Sequence, residues 1–254
     1  MIKWKLMMTT LPYMAVVIAI KYALESVLGF SGIIEFAEVG LVLTGGIFLI
    51  GFMLAGTMSD YKESEKLPAE IACTLEALEE TIVTVCASKQ DLNVKSMKAT
   101  LFEVTSDIYN WFYKKISYEQ VYASLSKLDT VISQMEKVGA TGYATRMLGE
   151  LNVLRKIVSR VGVISRTNFL STGYALLEFL ISAIIVLLLI SKFKSLLAEY
   201  ILIGFVSLIY IYMYRLIQDI DDPFEYSESG APGASEVPLF PIDEYKERAK
   251  SRLT

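Results

Sequence analysis

Between Leu41 and Met58 the chain reads LVLTGGIFLIGFMLAGTM, eighteen residues without a charge, and from Ser59 it turns at once to SDYKESEK. An uncharged apolar stretch of about that length crosses the ~30 Å hydrocarbon layer of a bilayer as a helix. The abrupt change of composition therefore predicts a helix leaving a membrane for water. Within it Thr44, Phe48 and Phe52 recur every fourth residue and form one nearly straight column on a helix. Such a column could line a pore, although an aromatic stripe at helical spacing more commonly packs against other helices or lipid.

Composition places the rest of the chain in the same class. Of its 254 residues 54% are hydrophobic, histidine is absent, and the mean hydropathy is +0.46. Four apolar runs reach spanning length, at roughly 7–30, 38–58, 170–190 and 197–216. The net charge of −4 removes the electrostatic case for a nucleic-acid partner, which wants a basic face. The opening residues MIKWK precede an apolar segment with no small-residue cleavage signature, so the first run is expected to be retained as a membrane helix.

Charge distribution orients the spans. Lys3 and Lys5 precede the first run, and the FSGIIEFAE connection to the second carries acids but no Lys or Arg, which puts the amino terminus in the cytosol. Lys62, Lys66, Arg155, Lys156, Arg160 and Arg166 then fall on the same side. Lys192 and Lys194, between the third and fourth runs, do not. The resulting division is 1–58 for the first two spans, 59–168 for a cytosolic helical domain, 169–217 for the last two spans, and 218–254 for a cytosolic strap. Both termini are cytosolic, in a plasma-type inner membrane.

The stretch 60–168 reads as helix throughout. Ile71, Leu75, Leu78, Ile82 and Val85 alternate steps of four and three, as do Leu101, Val104, Ile108 and Trp111, and Leu151, Leu154, Ile157 and Val161 follow one another at steps of three or four. Val121, Leu125, Leu128, Ile132 and Met135 read as one further helix ending near Gly139. With no hairpin chemistry competing, the protein is expected to be all-α. Tyr200, Tyr210, Tyr212 and Tyr214 suit the lipid interface, and the Gly, Pro and Ser content of 227–241 predicts an extended strap. Cys73 and Cys86 lie thirteen positions apart on one helix, about 20 Å along its axis, too far to bridge.

The lack of histidine, of a phosphate-binding Gly-rich loop and of a nucleophile motif argues against an enzyme. No cofactor is expected. Ionisable groups inside spans are costly in lipid and often functional. Lys21 and Glu25, one turn apart, either pair or reach the headgroups. Glu178 has no local partner and is expected to face protein or an aqueous cavity, or to lie shallow enough to reach water. Asp219, Asp221, Asp222 and Glu225 follow the last span and suit either Ca²⁺ or a solvated helix exit.

Two separated segments together resemble the bestrophin family of anion channels: Phe48-Leu-Ile-Gly-Phe52 followed by Leu67-Pro68, and Asp222-Pro223-Phe224-Glu225 followed by Val237-Pro238-Leu239. The resemblance implies a homopentamer with one central pore, small anions such as chloride as the conducted species, and membrane lipids around it. It places Phe48 and Phe52 at the neck, with Thr44 one turn above in the place of an aliphatic residue. Asp60, Lys62, Glu63 and Glu65 then stand at the cytosolic mouth, where the family has an aromatic and arginine-rich segment. The acids there leave a cation-conducting relative open, and a non-conducting membrane scaffold is the alternative from another class. The acidic segment 221, 222 and 225 is thinner than the clasp of the Ca²⁺-gated animal members, so a relative without that gating is expected.

Overall fold

The computed structural model describes residues 4–167, 171–226 and 235–253. Lys3, the expected start of the third span at Leu170, and the strap residues 227–234 lie outside them. The chain divides into two compact units, Met1–Tyr61 with Asn168–Asp222, and Lys62–Thr167 with Pro223–Thr254.

Among the described residues the first unit holds four helices long and apolar enough to cross a membrane. These are α1 (Lys5–Ser26), α2 (Phe36–Ser64, whose last turn belongs to the second unit), α8 (Ser171–Leu189) and α9 (Leu196–Asp221). Their shared core includes Val17, Ile50, Met53, Leu177, Ile184, Ile203 and Tyr210. Small residues set the close approaches. A Cβ on Gly46 would lie 2.7 Å from Ile184 Cδ1 and 2.8 Å from the Tyr210 hydroxyl, so only glycine lets α2 reach that pair. α1 and α9 form the most extensive helix pair, with Gly204 beneath Ile18.

The two short connections of this unit are tied together. A two-residue strand β1 (Ile34–Glu35) pairs in parallel with β2 (Ser191–Lys192), and the Ile33 N–H donates to the Ile190 carbonyl at 2.9 Å. Gly32, at φ +84°, approaches the Ser191 backbone so closely that a Cβ would come within 2.8 Å of it. This miniature pairing is the one β element among the described residues of an otherwise helical protein.

The second unit is a helical bundle of α3 (Leu67–Ser88), α4 (Val94–Phe112), α5 (Tyr118–Leu125), α6 (Leu128–Lys137), α7 (Thr141–Ile164) and α10 (Phe240–Ser251). The α3 face read from the sequence is fully buried, from Ile71 to Val85. On α4 the buried residue that follows Ile108 is Phe112, and Trp111 is only half-buried. The step from Ile108 is four residues, the alternative that the period of 3.6 allows equally.

The single helix expected over 121–135 is two. Ser117 and Gln120 form a reciprocal capping box at the start of α5. The chain then breaks at Ser126–Lys127, where successive N–H groups bond three residues back. Side chains hold the break: Ser124 donates to Asp107, and Lys127 reaches Glu103 and Asp107. Leu125 and Leu128 stay buried on either side, so the apolar period runs on through the interruption. Gly139, at φ +73°, does follow the end of α6.

The tail departs furthest from expectation. Residues 235–239 are irregular, but α10 begins at Phe240, with Pro241 in its first turn and Arg248 and Lys250 in its last. It packs Ile242, Tyr245 and Ala249 inward, the Tyr245 hydroxyl donates to the Leu75 carbonyl at 3.2 Å, and Arg252 meets Glu79 at 3.0 Å. Burial, with Glu79 nearby, pushes the Tyr245 phenol above its ordinary range. The folded pKa is raised above the unfolded value near 10, so the stability it carries is complete below about pH 10 and is lost as pH rises further. We expect Tyr245→Phe to cost about 1 kcal/mol at neutral pH, one hydrogen bond, and to flatten the alkaline fall of the melting temperature. An equally steep fall in the variant would assign that dependence elsewhere.

Candidate pore-lining face

The column of Thr44, Phe48 and Phe52 lies on α2 opposite the positions it uses for its own subunit. Gly46, Ile50 and Met53 are buried, whereas Phe48 is 77% and Phe52 71% exposed. Thr44 is exposed too, its hydroxyl donating to the Gly40 carbonyl at 2.9 Å. The phenylalanines do not pack inside the subunit, and what they face lies beyond it. Leaving a large aromatic side chain in water forgoes about 1.5–3 kcal/mol.

Near the end of α2, Asp60, Lys62 and Glu65 are exposed. Glu63 accepts both arms of Arg160, Nε at 2.8 Å and Nη2 at 2.6 Å. That fork-to-fork pair neutralises one of the four charges at the expected mouth.

Lys21 and Glu25 do not reach outward to headgroups. Lys21 is fully buried, and its ammonium lies 2.7 Å from Glu199, 3.3 Å from Glu25, 3.2 Å from the Leu189 carbonyl and 3.0 Å from the Ser191 carbonyl. The Tyr200 hydroxyl donates to Glu25 at 2.7 Å. One cation thus serves two carboxyls and the carbonyl end of α8, whose last C=O groups have no partner within the helix. Glu199 escaped the sequence analysis, although an acid three residues into an apolar run was its signal.

Tyr210 and Tyr214 of α9 likewise find partners within the unit. The Tyr210 hydroxyl meets the Leu43 carbonyl, and Tyr214 donates to Glu178 at 2.6 Å while accepting from Gln218 at 2.8 Å. Glu178 therefore has a partner one helix away. Arg215 stacks over Tyr13, 5.4 Å from the ring centroid. After α9, Glu225 is exposed and 3.9 Å from Lys114, while Asp219, Asp221 and Asp222 are partly covered and engaged. Among the described residues no three acidic, Cys or His side chains gather to hold a metal.

These features define a class: an all-α integral membrane protein with four candidate spans and a helical bundle outside them. Its architecture is that of the bestrophins, as the motifs implied. A bacterial bestrophin homologue from Klebsiella pneumoniae superposes with a TM-score of 0.73 at 15% identity, over 100% of this chain and 98% of that one. A single-residue variant of that homologue gives 0.75 at 12% identity, over 96% and 98%. A further structure described as a membrane protein gives 0.72 at 15% identity, over 99% and 98%. No protein-family model matches the sequence, and no curated protein matches it either.

Proposed function

We propose that the protein is a passive anion channel, most readily for chloride, built as a homopentamer around a central pore. The observation that carries this reading is the exposed Phe48–Phe52 face of α2, directed away from its own subunit's core. Copies arranged around an axis would bring five such faces together and cover them. Thr44, Phe48 and Phe52 then form the neck. A ring of apolar side chains gates by dewetting, and the positive edges of phenyl rings tolerate a passing anion. No bond is made or broken in the work; the protein lowers the cost of partly dehydrating an ion.

Asp60, Lys62, Glu63 and Glu65 surround the cytosolic mouth in this arrangement, with residues 59–168 and 218–254 in the cytosol. The Glu63–Arg160 pair supports the anion reading, because it removes one acid from a ring that would repel chloride. Asp60 and Glu65 favour the cation-conducting alternative. A planar bilayer with the purified protein under a KCl gradient separates them by the sign of the reversal potential. We expect the sign set by chloride. The opposite sign selects the cation channel, and absence of current at any voltage or Ca²⁺ concentration selects a scaffold.

A further inference from the structure

In the second unit a cleft of about 120 Å³ opens between the end of α4, the last turns of α7 and Phe224. Its walls are aromatic and its rim is cationic. Phe112, Val161 and Phe224 are buried at its base, the rings of Phe112 and Phe224 lie 5.7 Å apart, and the half-buried Trp111 stands beside them, 5.3 Å from Phe112.

Both cations of the rim are held in place by the backbone. Lys114 is the one non-glycine residue with positive φ among the described residues, at 56°. Its N–H bonds the Trp111 carbonyl at 2.9 Å and the Lys115 N–H bonds Asn110 at 3.0 Å, a helix-ending turn at which glycine is the unstrained choice. A lysine there is kept at a cost in backbone energy, of the kind that collects at ligand clamps. Its contact with Glu225, at 3.9 Å between two exposed side chains, is too weak to account for that.

Arg166 lies flat over the Tyr118 ring at 4.0 Å, and its Nε donates to the Gly162 carbonyl at 3.0 Å. A Cβ at position 162 would come within 2.7 Å of that ring and 3.3 Å of the guanidinium, so glycine makes room for the stack. The guanidinium of Arg166 is thus fixed in orientation, and the carboxylate that feels its charge is the exposed Glu119.

From this geometry we infer that the cleft is a binding site for a small organic anion with a flat aromatic body and a carboxylate. The ring enters among Trp111, Phe112 and Phe224, and the carboxylate takes the guanidinium of Arg166 and the ammonium of Lys114. A neutral arene finds the same walls but offers neither cation a carboxylate.

The test uses the full chain in mild detergent. Trp4 and Trp111 are the only tryptophans, so Trp4→Phe leaves Trp111 as the sole indole reporter. 4-Nitrobenzoate, whose ring quenches indole on contact, is the probe, and 4-nitrobenzamide is its neutral counterpart. We expect saturable quenching by the carboxylate and binding of the amide weaker by about tenfold or more. Arg166→Gln is expected to weaken the carboxylate by a similar factor. Lys114→Gly is the decisive variant, because it relieves the strained φ: it should raise the melting temperature and at the same time weaken the carboxylate by about tenfold. Quenching that does not saturate, equal affinity for acid and amide, or undiminished binding in Lys114→Gly would each overturn the assignment.

Discussion

Lys21→Met is expected to destabilise the membrane unit by about 3–5 kcal/mol, the usual cost of breaking a buried ion pair from one side. Methionine is unbranched like lysine and shorter by one heavy atom, so packing is nearly conserved and the loss is mainly electrostatic. What remains is Glu199 and Glu25 facing one another, and the carbonyls of Leu189 and Ser191 without their donor. The measurement is the melting temperature of the purified protein in detergent. Adding Glu199→Gln and Glu25→Gln to Lys21→Met should recover most of the loss, because neutral amides no longer require the cation. A single variant as stable as the wild type would mean that the attraction of the ammonium for its carboxyls is offset by the cost of burying it, and that the cluster contributes nothing net to the fold.

Phe48→Ala with Phe52→Ala should raise chloride flux from liposomes by about tenfold or more, which corresponds to lowering the barrier by about 1.4 kcal/mol. Two rings of large apolar side chains are removed at the narrowest expected point, and the wider, wetter neck no longer expels water. Because both side chains are exposed in the subunit, its own core should be unaffected and the fold retained. Unchanged flux would take these rings out of the ion path and return them to lipid or to contacts between copies. Thr44 makes one ring of the neck more polar than an aliphatic residue would, so the wild type itself should leak more readily than a fully apolar neck.

The four spans and the α3 face were legible because long uncharged runs and a clean period of 3.6 have few other uses. Side-chain direction at polar positions was not. Tyr210 and Tyr214 have the composition of interface anchors, yet they bond Leu43 and Glu178 within the unit, which depends on where α2 and α8 pass. The break between α5 and α6 left no mark in the apolar pattern, since Leu125 and Leu128 sit three apart whether or not the helix is continuous. The tail helix was hidden by its neighbour: Pro and Gly before it predict irregular chain, and its own amphipathic face is only three residues deep. As for the neck column, spacing aligned its three residues, but only the buried positions Gly46, Ile50 and Met53 establish that the column looks away from the subunit.

The Lys21 cluster carries a consequence for how the protein is made. Lys21 lies 168 residues before Leu189 and still further before Ser191 and Glu199, with the whole of 62–167 in between. At about 5–20 residues per second a ribosome needs roughly ten to thirty seconds to produce those partners. Throughout that interval the first helix has its lysine in or near lipid with only Glu25 for company, and its principal packing partner, α9, does not yet exist. Glu25, one turn away, is thus the local counter-charge that accompanies the nascent helix into the membrane, and Glu199 is the one that completes the site once synthesis reaches the fourth helix.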